Sequence, residues 1–558
     1  MLILGISDSH DASATLIEDN KILAAVSEER FTRRKRQQGF PYNSIKYLKS
    51  FINGRPVDKV YIAGQFGRAA FRVMDKVYSR GDPCKNPLSF SSKIAYRLEN
   101  SIAAVPLLRN IESWIGLSAV KNRLKRSGIK YRSISLLNHH YSHVISSLAG
   151  MDSVDYLAVS LDAYGDGDSG LLVNVRKAKV VNIRRISHKD SIAQFYSHIS
   201  AQLGFKEGEE GKVMALASLG KDTPLTGTFR KLFRVGDNGI MVSQDYKRKW
   251  FLKMLGNYEI EDVASALQKV CEEAALRLVK GYVSEGVRQD IFLAGGFFAN
   301  IKVNQRLHQE KLFKRIFVFP NMGDGGISFL PVVDHNDALC RTNQAELTDV
   351  YLGPEYSEEY IARILRKSEL QYARESGVEE RMAQLLSKGK TVARFSGRME
   401  YGPRALGNRS ILHETTDISV NDWLNRKLKR PEFMPFAPVT LFEFADICYE
   451  GFEGAEKAAK FMTISLDCTE WMKQVSPGVV HVDGTARPQL VREEDNPGYY
   501  KILKEYQMIT GIPSLINTSF NMHQEPIVCT PEEAIRTFLS AELDYLAIDK
   551  FLVKNPLA

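Results

Sequence analysis

The chain has 558 residues, 44% of them hydrophobic and 25% charged, the balance of a soluble globular protein with room for about two to four domains. No apolar run is long enough to span a bilayer, and the short apolar start Met1-Leu2-Ile3-Leu4-Gly5-Ile6 lacks a basic leader and runs at once into Asp8 and Asp11. It reads as a core strand rather than a signal peptide. The formal net charge of +9 suits acidic ligands such as nucleotides and phosphates, and also nucleic acid. The basic runs at 33–36 and 121–126 carry no zinc-finger spacing and no aromatic RNA-binding motif, so they read as solvated faces. Cys84, Cys271, Cys340, Cys448, Cys468 and Cys529 form no C-x-x-C pair. Their spacing suits neither a disulfide framework nor a zinc cluster, and a reducing cytoplasm is the expected home.

In chain order, Leu2–Ile6, Ser13–Ile17 and Ile22–Ser27 are three short apolar segments, the last two joined by a hairpin turn at Glu18–Lys21. The same rhythm returns at Tyr156–Leu161, Gly170–Val175 and Val180–Ile183. Two similar β-openings about 155 residues apart predict a duplicated domain with a cleft between its halves. Strand–turn–strand–turn–strand at the start is how actin/hexokinase-like ATPase domains begin. Apolar residues at three- and four-residue spacing predict helices over Ser191–Leu203 and Val263–Glu285. A strand then runs into Gly295-Gly296, and another over Ile316–Phe319 into a glycine-rich turn. Periodicity fails across Asp334–Leu347, which places the boundary between domains 1–345 and 346–558. The second domain alternates predicted helices (Glu358–Lys367, Val378–Lys388, Pro531–Ser540) with strands (Thr391–Phe395, Asp544–Ile548), an α/β or α+β pattern.

Five motifs carry chemistry. In Asn138-His139-His140-Tyr141-Ser142-His143, His139 and His143 stand at i and i+4, one face of a helix, as metal ligation requires; a satisfied histidine pair reads the same way. The strand Ser160-Leu161-Asp162 ends in Gly165-Asp166-Gly167-Asp168. Such an acid- and glycine-rich end suits a phosphate or a cation, although a plain β-turn has the same composition. Gly295-Gly296-Phe297-Phe298-Ala299-Asn300 is a nucleotide-contacting corner, and Asn321-Met322-Gly323-Asp324-Gly325 supplies another strand-end carboxylate. The most specific stretch runs from Phe395 to Ile411, with Arg398, Glu400, Arg404 and Arg409 set among glycines. Guanidinium groups in such a frame suit bidentate recognition of phosphate or carboxylate. Lys429-Arg430, the stretch around Phe433-Met434, His481–Arg487 and Asn517–Asn521 follow it.

With these residues in view, the chain resembles the O-carbamoyltransferase family, which includes nodulation proteins of the NodU type and antibiotic carbamoyltransferases such as the tobramycin enzyme. HDASATLIEDNKILAAVSEERFTRRK, HHYSH, FYSHISAQLGFKEGEEGKVMALASLG, GGFFAN, GDGG, GRMEYGPRALGNRSIL, MPFAP, HVDGTARPQ and NTSFN occur in the family order. The resemblance implies an α/β architecture: a duplicated actin/hexokinase-like ATPase domain followed by an α/β YrdC-like domain. It implies that the second domain forms carbamoyl-adenylate from carbamoyl phosphate and ATP. The first then passes the carbamoyl group to a hydroxyl of a sugar or other small-molecule acceptor, aided by an iron-type divalent metal, with Mg accompanying ATP.

Carried over by position, the resemblance implies metal ligation by His139, His143, Asp162 and Asp324. It implies an adenylate pocket at Gly295, Gly296 and Asn300, with Gly211 and Lys212 in a further nucleotide segment. His10 and Asp11 match the family's pair at the mouth of the site, with His10 the candidate to activate the acceptor hydroxyl or, equally, to orient it. Arg404, Arg409, Lys429 and Arg487 are implied to contact carbamoyl phosphate and the triphosphate. Asn517 and Ser519 contact substrate or hold their loop. The chain departs from the family pattern at Ala163, where glycine is usual, and at Ser396, where glutamine is expected; the segment Ile94–Tyr131 matches nothing specific. Two other readings compete: transfer to tRNA, as in threonylcarbamoyl enzymes, and a nucleic-acid or scaffold protein that uses the fold for ATP-gated shape change. The net charge of +9 favours the first slightly, but the arginine motif and the carbamoyltransferase-specific flanks oppose it; the histidine pair and the arginine cluster oppose the second, so neither a nucleic-acid partner nor a membrane span is expected.

Overall fold

A computed structural model describes residues 1–65, 106–149, 153–236, 239–283, 289–330, 347–430 and 435–557. Outside them lie most of the predicted boundary segment, residues 94–105 of the unassigned stretch, the end of the helix predicted to 285, and Phe433-Met434. The chain forms two compact units, Met1–Leu347 and Thr348–Ala558.

The first unit holds β1 (Leu2–Ser7), β2 (Ser13–Glu18), β3 (Lys21–Ser27), β4 (Val57–Ala63) and β5 (Tyr131–Leu137), ordered β3-β2-β1-β4-β5. The β1–β2 and β2–β3 pairs are antiparallel, and β4 joins β1 and β5 in parallel. A second sheet holds β6 (Tyr156–Gly165), β7 (Asp168–Arg176) and β8 (Lys179–Ser187). Past a small hairpin of β9 (Phe233–Gly236) and β10 (Gly239–Val242), it gains β11 (Gln289–Ala294) and β12 (Phe313–Val318), in the order β12-β11-β6-β7-β8. Its pairings repeat those of the first sheet strand for strand. This duplicated five-stranded plan is that of the actin/hexokinase-like ATPases, as the two β-openings predict. Strands buried on both faces read as continuous apolar runs, and β1 and β11 are buried at every residue.

Several boundaries differ from the sequence reading by a few residues. β8 runs on to Ser187 because Arg184, Arg185 and Ile186 keep pairing with β7; charged residues on an edge strand hide it from a hydrophobic pattern. The long helix spans Ile260–Lys280, its first turn carrying Glu261 and Asp262, which suit the positive end of the helix dipole. Among the described residues, no helix is long and apolar enough to cross a membrane.

The second unit is built on an eight-stranded mixed sheet. Its strands are β13 (Tyr372–Arg374), β14 (Val392–Phe395), β15 (Arg409–His413), β16 (Ala437–Leu441), β20 (Gln489–Val491), β21 (Ser514–Ser519), β22 (Tyr545–Ile548) and β23 (Phe551–Lys554), in the order β13-β23-β22-β14-β15-β21-β16-β20. A smaller sheet holds β17 (Tyr449–Glu450), β18 (Leu466–Cys468) and β19 (Thr485–Ala486). Helices Val378–Leu386 and Pro497–Thr510 pack a core of Met382, Leu386, Tyr499, Leu503 and Tyr506 onto Val392, Leu412, Val439 and Leu515. The helix Pro531–Ser540 opens with a capping box of Thr530 and Glu533. The arginine motif is the connection between the antiparallel strands β14 and β15.

Candidate active site

The histidine helix spans His139–Ser147, with Asn138 as its N-cap, accepting from the Tyr141 N–H at 3.1 Å. Its i,i+4 spacing points both imidazoles the same way, and both are buried. Asp162 lies near the end of β6, and Asp324 in the turn after β12. His143 Nε2 is 3.4 Å from Asp162 Oδ2 and 3.5 Å from Asp324 Oδ1, and His139 Nε2 is 3.8 and 3.5 Å from the same oxygens. One ligand atom from each of these four residues lies within 4.8 Å of all the others. Two donors bonded to one tetrahedral cation at about 2.1 Å stand roughly 3.4 Å apart, so the donor set and its spacing fit a divalent ion.

The electrostatics agree. Burial works to raise both carboxyls, but the histidines more than offset it and hold Asp162 and Asp324 well below the usual range. Burial likewise opposes charging His143, and its bonds to Asp162 and Asp324 outweigh that and raise it. Two carboxylates and two imidazoles drawn together in a buried place are stabilised by any cation that takes the centre.

Several glycines keep this centre open. Gly295 (φ +99°) passes so close to β6 that a Cβ there would lie 2.1 Å from the Leu161 carbonyl oxygen. That approach lets the Gly296 N–H donate to Asp162 Oδ2 at 3.2 Å. A Cβ on Gly165 would fall 2.1 Å from His139 Cδ2. Asp166 and Gly167, both at positive φ (53° and 92°), close the hairpin in which Gly165 pairs with Asp168. Two central residues at positive φ define a type I′ turn, so the plain-turn reading is correct for these two residues, while Asp162 alone turns inward.

The turn between β1 and β2 completes the site from the other half of the unit. Ser9 donates to Asp324 Oδ2 at 2.9 Å, and His10 Nε2 is 3.6 Å from that oxygen. His10 Nδ1 is 3.5 Å from Asp11, which sits at φ +61°. The Asp324 charge pushes His10, whose side chain is 44% exposed, up to about 9. An imidazole that keeps its proton at neutral pH accepts none from an alcohol; the cause lies in Asp324, so positive charge shared with Asp324 brings His10 back down.

Asn300 caps the helix Ile301–Gln309 and donates to Gln268 Oε1 at 2.8 Å. Gly211 and Lys212 lie on the helix Glu210–Ala217; space over Gly211 is open, and Lys212 pairs with Glu209.

In the second unit, Glu400 Oε1 accepts from the N–H groups of Leu406, Asn408 and Arg409 at 2.9, 2.8 and 3.1 Å. The loop carrying Arg404 is thus wound around a buried carboxylate. Arg404 and Arg487 are half-buried, and among the described residues neither has an ion-pair or hydrogen-bond partner. Desolvation brings Arg404 down to about 10 and, with repulsion from Arg404, holds Arg487 well below the usual guanidinium range.

Arg409 has a different part from the one its motif implies. It is fully buried, donates to the carbonyls of Ser396, Asn408, Gly397 and Pro354 at 2.8, 2.9, 3.1 and 3.3 Å, and lies 3.6 Å over the Phe395 ring. Those carbonyls take up both terminal NH2 groups, which hold the loop, while Nε has no hydrogen-bond partner among the described residues. Lys429 is exposed at φ +56°, and it is the neighbouring Arg430 that reaches Thr518, Ser519 and Asn521. Asn517 donates to the Ala405 carbonyl and to Gln489, whose amide donates to the Leu406 carbonyl. The adjacent Lys429-Arg430 pair was the only sequence signal for Arg430, and nothing there said which of the two turns inward.

A duplicated actin/hexokinase-like fold with a buried His–His–Asp–Asp cluster at its strand ends defines an enzyme of the ATPase-fold class. Residues 2–329 match the family model described as Carbamoyltransferase N-terminus, and residues 383–555 match Carbamoyltransferase C-terminus. The chain belongs to the carbamoyltransferase family and is a carbamoyltransferase enzyme. It is 30% identical to an uncharacterized protein of Methanocaldococcus jannaschii over 99% of this chain and 100% of that one. It is 28% identical to nodulation protein NolNO of Sinorhizobium fredii, over 98% of this chain and 79% of the relative, and 27% identical to nodulation protein U of the same species, over 94% of each. Among solved structures it is similar to T. kodakarensis HypF (12% identity, TM-score 0.35, 60% of this chain and 46% of that one) and to a ROK family glucokinase of Streptomyces griseus (11%, TM-score 0.27, 59% and 98%).

Proposed function

We propose that this carbamoyltransferase draws on ATP and carbamoyl phosphate, forms a carbamoyl-adenylate on its second, YrdC-like unit, and transfers the carbamoyl group on its first unit to a hydroxyl of a sugar or other small natural product. The observation that carries the reading is the pair Arg404 and Arg487. Two half-buried guanidinium groups that repel each other, with no carboxylate partner among the described residues, suit a polyanion such as a triphosphate or carbamoyl phosphate. Glu400 and Arg409 fix the loop that presents Arg404, and Gln489 and Asn517 brace it from β20 and β21.

In the first unit His139, His143, Asp162 and Asp324 would hold a divalent metal, iron by family resemblance. When bound, such an ion polarises a carbonyl and stabilises charge developing on its oxygen. The chain's own groups do the rest. His10, beside Asp324, is placed to take the alcohol proton at Nε2 once the Asp324 charge is shared. Gly295 and Gly296 let the main chain run close beside Asp162 where a side chain would not fit, and their N–H groups are taken by the Met322 carbonyl and Asp162. A carbamoyl group is a weak electrophile because its nitrogen donates into the carbonyl; an adenylate leaving group offsets this.

The test separates the two reactions. With ATP and carbamoyl phosphate, the wild-type protein should release pyrophosphate only when both are present. Arg404→Ala should stop that release, whereas His139→Ala should leave it largely intact while abolishing carbamoylation of an acceptor. Pyrophosphate release that ignores carbamoyl phosphate, or that survives Arg404→Ala unchanged, would overturn the proposal.

A further inference from the structure

Asp166 belongs to none of the groups given a role above, yet its carboxylate is buried where three chain segments meet. Oδ1 and Oδ2 accept from the Gln65 N–H at 3.0 and 2.9 Å, and Oδ2 also accepts from the His139 N–H at 2.6 Å. Gln65 lies two residues past the end of β4 of the first sheet, and its own carbonyl accepts from Ser113 at 3.1 Å. His139 opens the histidine helix, and Asp166 stands at the tip of the β6–β7 hairpin of the second sheet. One side chain thereby ties both halves of the unit to the first turn of the helix that carries His139 and His143.

The turn by itself does not ask for a carboxylate. At the first central position of a type I′ turn, asparagine serves as well as aspartate. Asparagine with its oxygen at the Oδ2 position could still accept from both N–H groups, but its amide nitrogen would take the Oδ1 position and face the Gln65 N–H donor to donor. A negative charge also suits the helix N-terminus on which it lies. The neighbouring Gly165 leaves only enough room for the His139 ring, so this hairpin sets both the main chain and the imidazole of one residue.

We propose that Asp166 is a positioning residue for the metal ligand His139: its carboxylate fixes the start of the histidine helix against the end of β4, and so sets the aim of His139 at the centre shared with Asp162 and Asp324. The inference rests on the metal reading of that cluster. Groups that orient a metal-binding histidine from outside the ligand set change metal affinity by about 10- to 100-fold when removed.

Cobalt(II) is the probe, added to the full chain and followed by equilibrium dialysis and by its visible d–d absorption. Asp166→Asn should keep the fold and thermal midpoint, weaken cobalt binding by about tenfold or more, and alter the absorption band; Asp166→Ala should weaken binding further. His143→Ala, which removes a ligand, should lose cobalt. If His143→Ala loses cobalt while Asp166→Asn binds it with unchanged affinity and spectrum, the positioning role is refuted. If His143→Ala keeps its full cobalt, the metal site falls and the proposal falls with it. Should Asp166→Ala fail to fold, Asp166→Asn alone decides.

Discussion

Replacing Gly165 by alanine adds a single methyl group at the tightest point of the site. The new Cβ would stand 2.1 Å from His139 Cδ2, 2.3 Å from Cγ and 2.7 Å from Nε2. Carbon atoms rest near 3.5 Å apart, so the ring or the hairpin must retreat by roughly 1.4 Å. Metal–ligand distances tolerate only about 0.2 Å. His139 is buried with no exposed surface, so its ring has no solvent to swing into. If the hairpin retreats instead, it carries Asp162, the second ligand proposed here, with it. Either way cobalt or iron affinity should fall by at least about 10- to 100-fold, and overpacking should cost about 1–3 kcal/mol of stability. Metal content after dialysis measures the first and urea unfolding the second, with His139→Ala as the ligand-deletion reference. A Gly165→Ala protein that binds metal as the wild type does, while His139→Ala has lost it, would refute this account of how the site is packed.

Glu400→Ala should destabilise the second unit by roughly 3–5 kcal/mol, since it strands the three N–H groups that share Oε1; Glu400→Gln, which keeps an acceptor, should cost less, and equal unfolding midpoints for Glu400→Ala and wild type would contradict the wound-loop picture. His413 is buried beside Thr391 and edge-on to Trp423, and desolvation lowers it from 6.5. Its folded pKa being the lower one, the unfolded chain binds the extra proton, so stability should be lost as pH falls below 6.5, at up to about 1.4 kcal/mol per pH unit. His413→Asn should flatten that part of a stability–pH curve; an unchanged slope would show that His413 is not its source.

Much of this was legible in the linear chain. Buried central strands must be apolar throughout, so β1, β2, β6 and β7 declare themselves, and their recurrence exposes the duplication. The i,i+4 histidines are a local matter, since helix geometry alone puts them on one face. Strand-end acids in glycine-rich turns are likewise local, and so are the arginines in their small-residue frame. What the sequence could not decide is which of several like residues turns inward. Asp162 and Asp166 lie in one acidic stretch, but only Asp162 joins the cluster, because hairpin closure at Gly165 and Asp168 turns Asp166 toward the main chain of Gln65 and His139. Arg404 and Arg409 share a motif, yet Arg409 sits at the start of β15 and gives its terminal NH2 groups to main-chain carbonyls, whereas Arg404 Nε is buried without a hydrogen-bond partner among the described residues. Lys429 and Arg430 are adjacent, and the left-handed turn at Lys429 sends one outward and the other to β21. Composition and spacing fix which chemical groups are available; burial and hydrogen bonding between residues far apart in the chain choose among them, because a charge is kept inside only where distant partners, or a ligand, meet it.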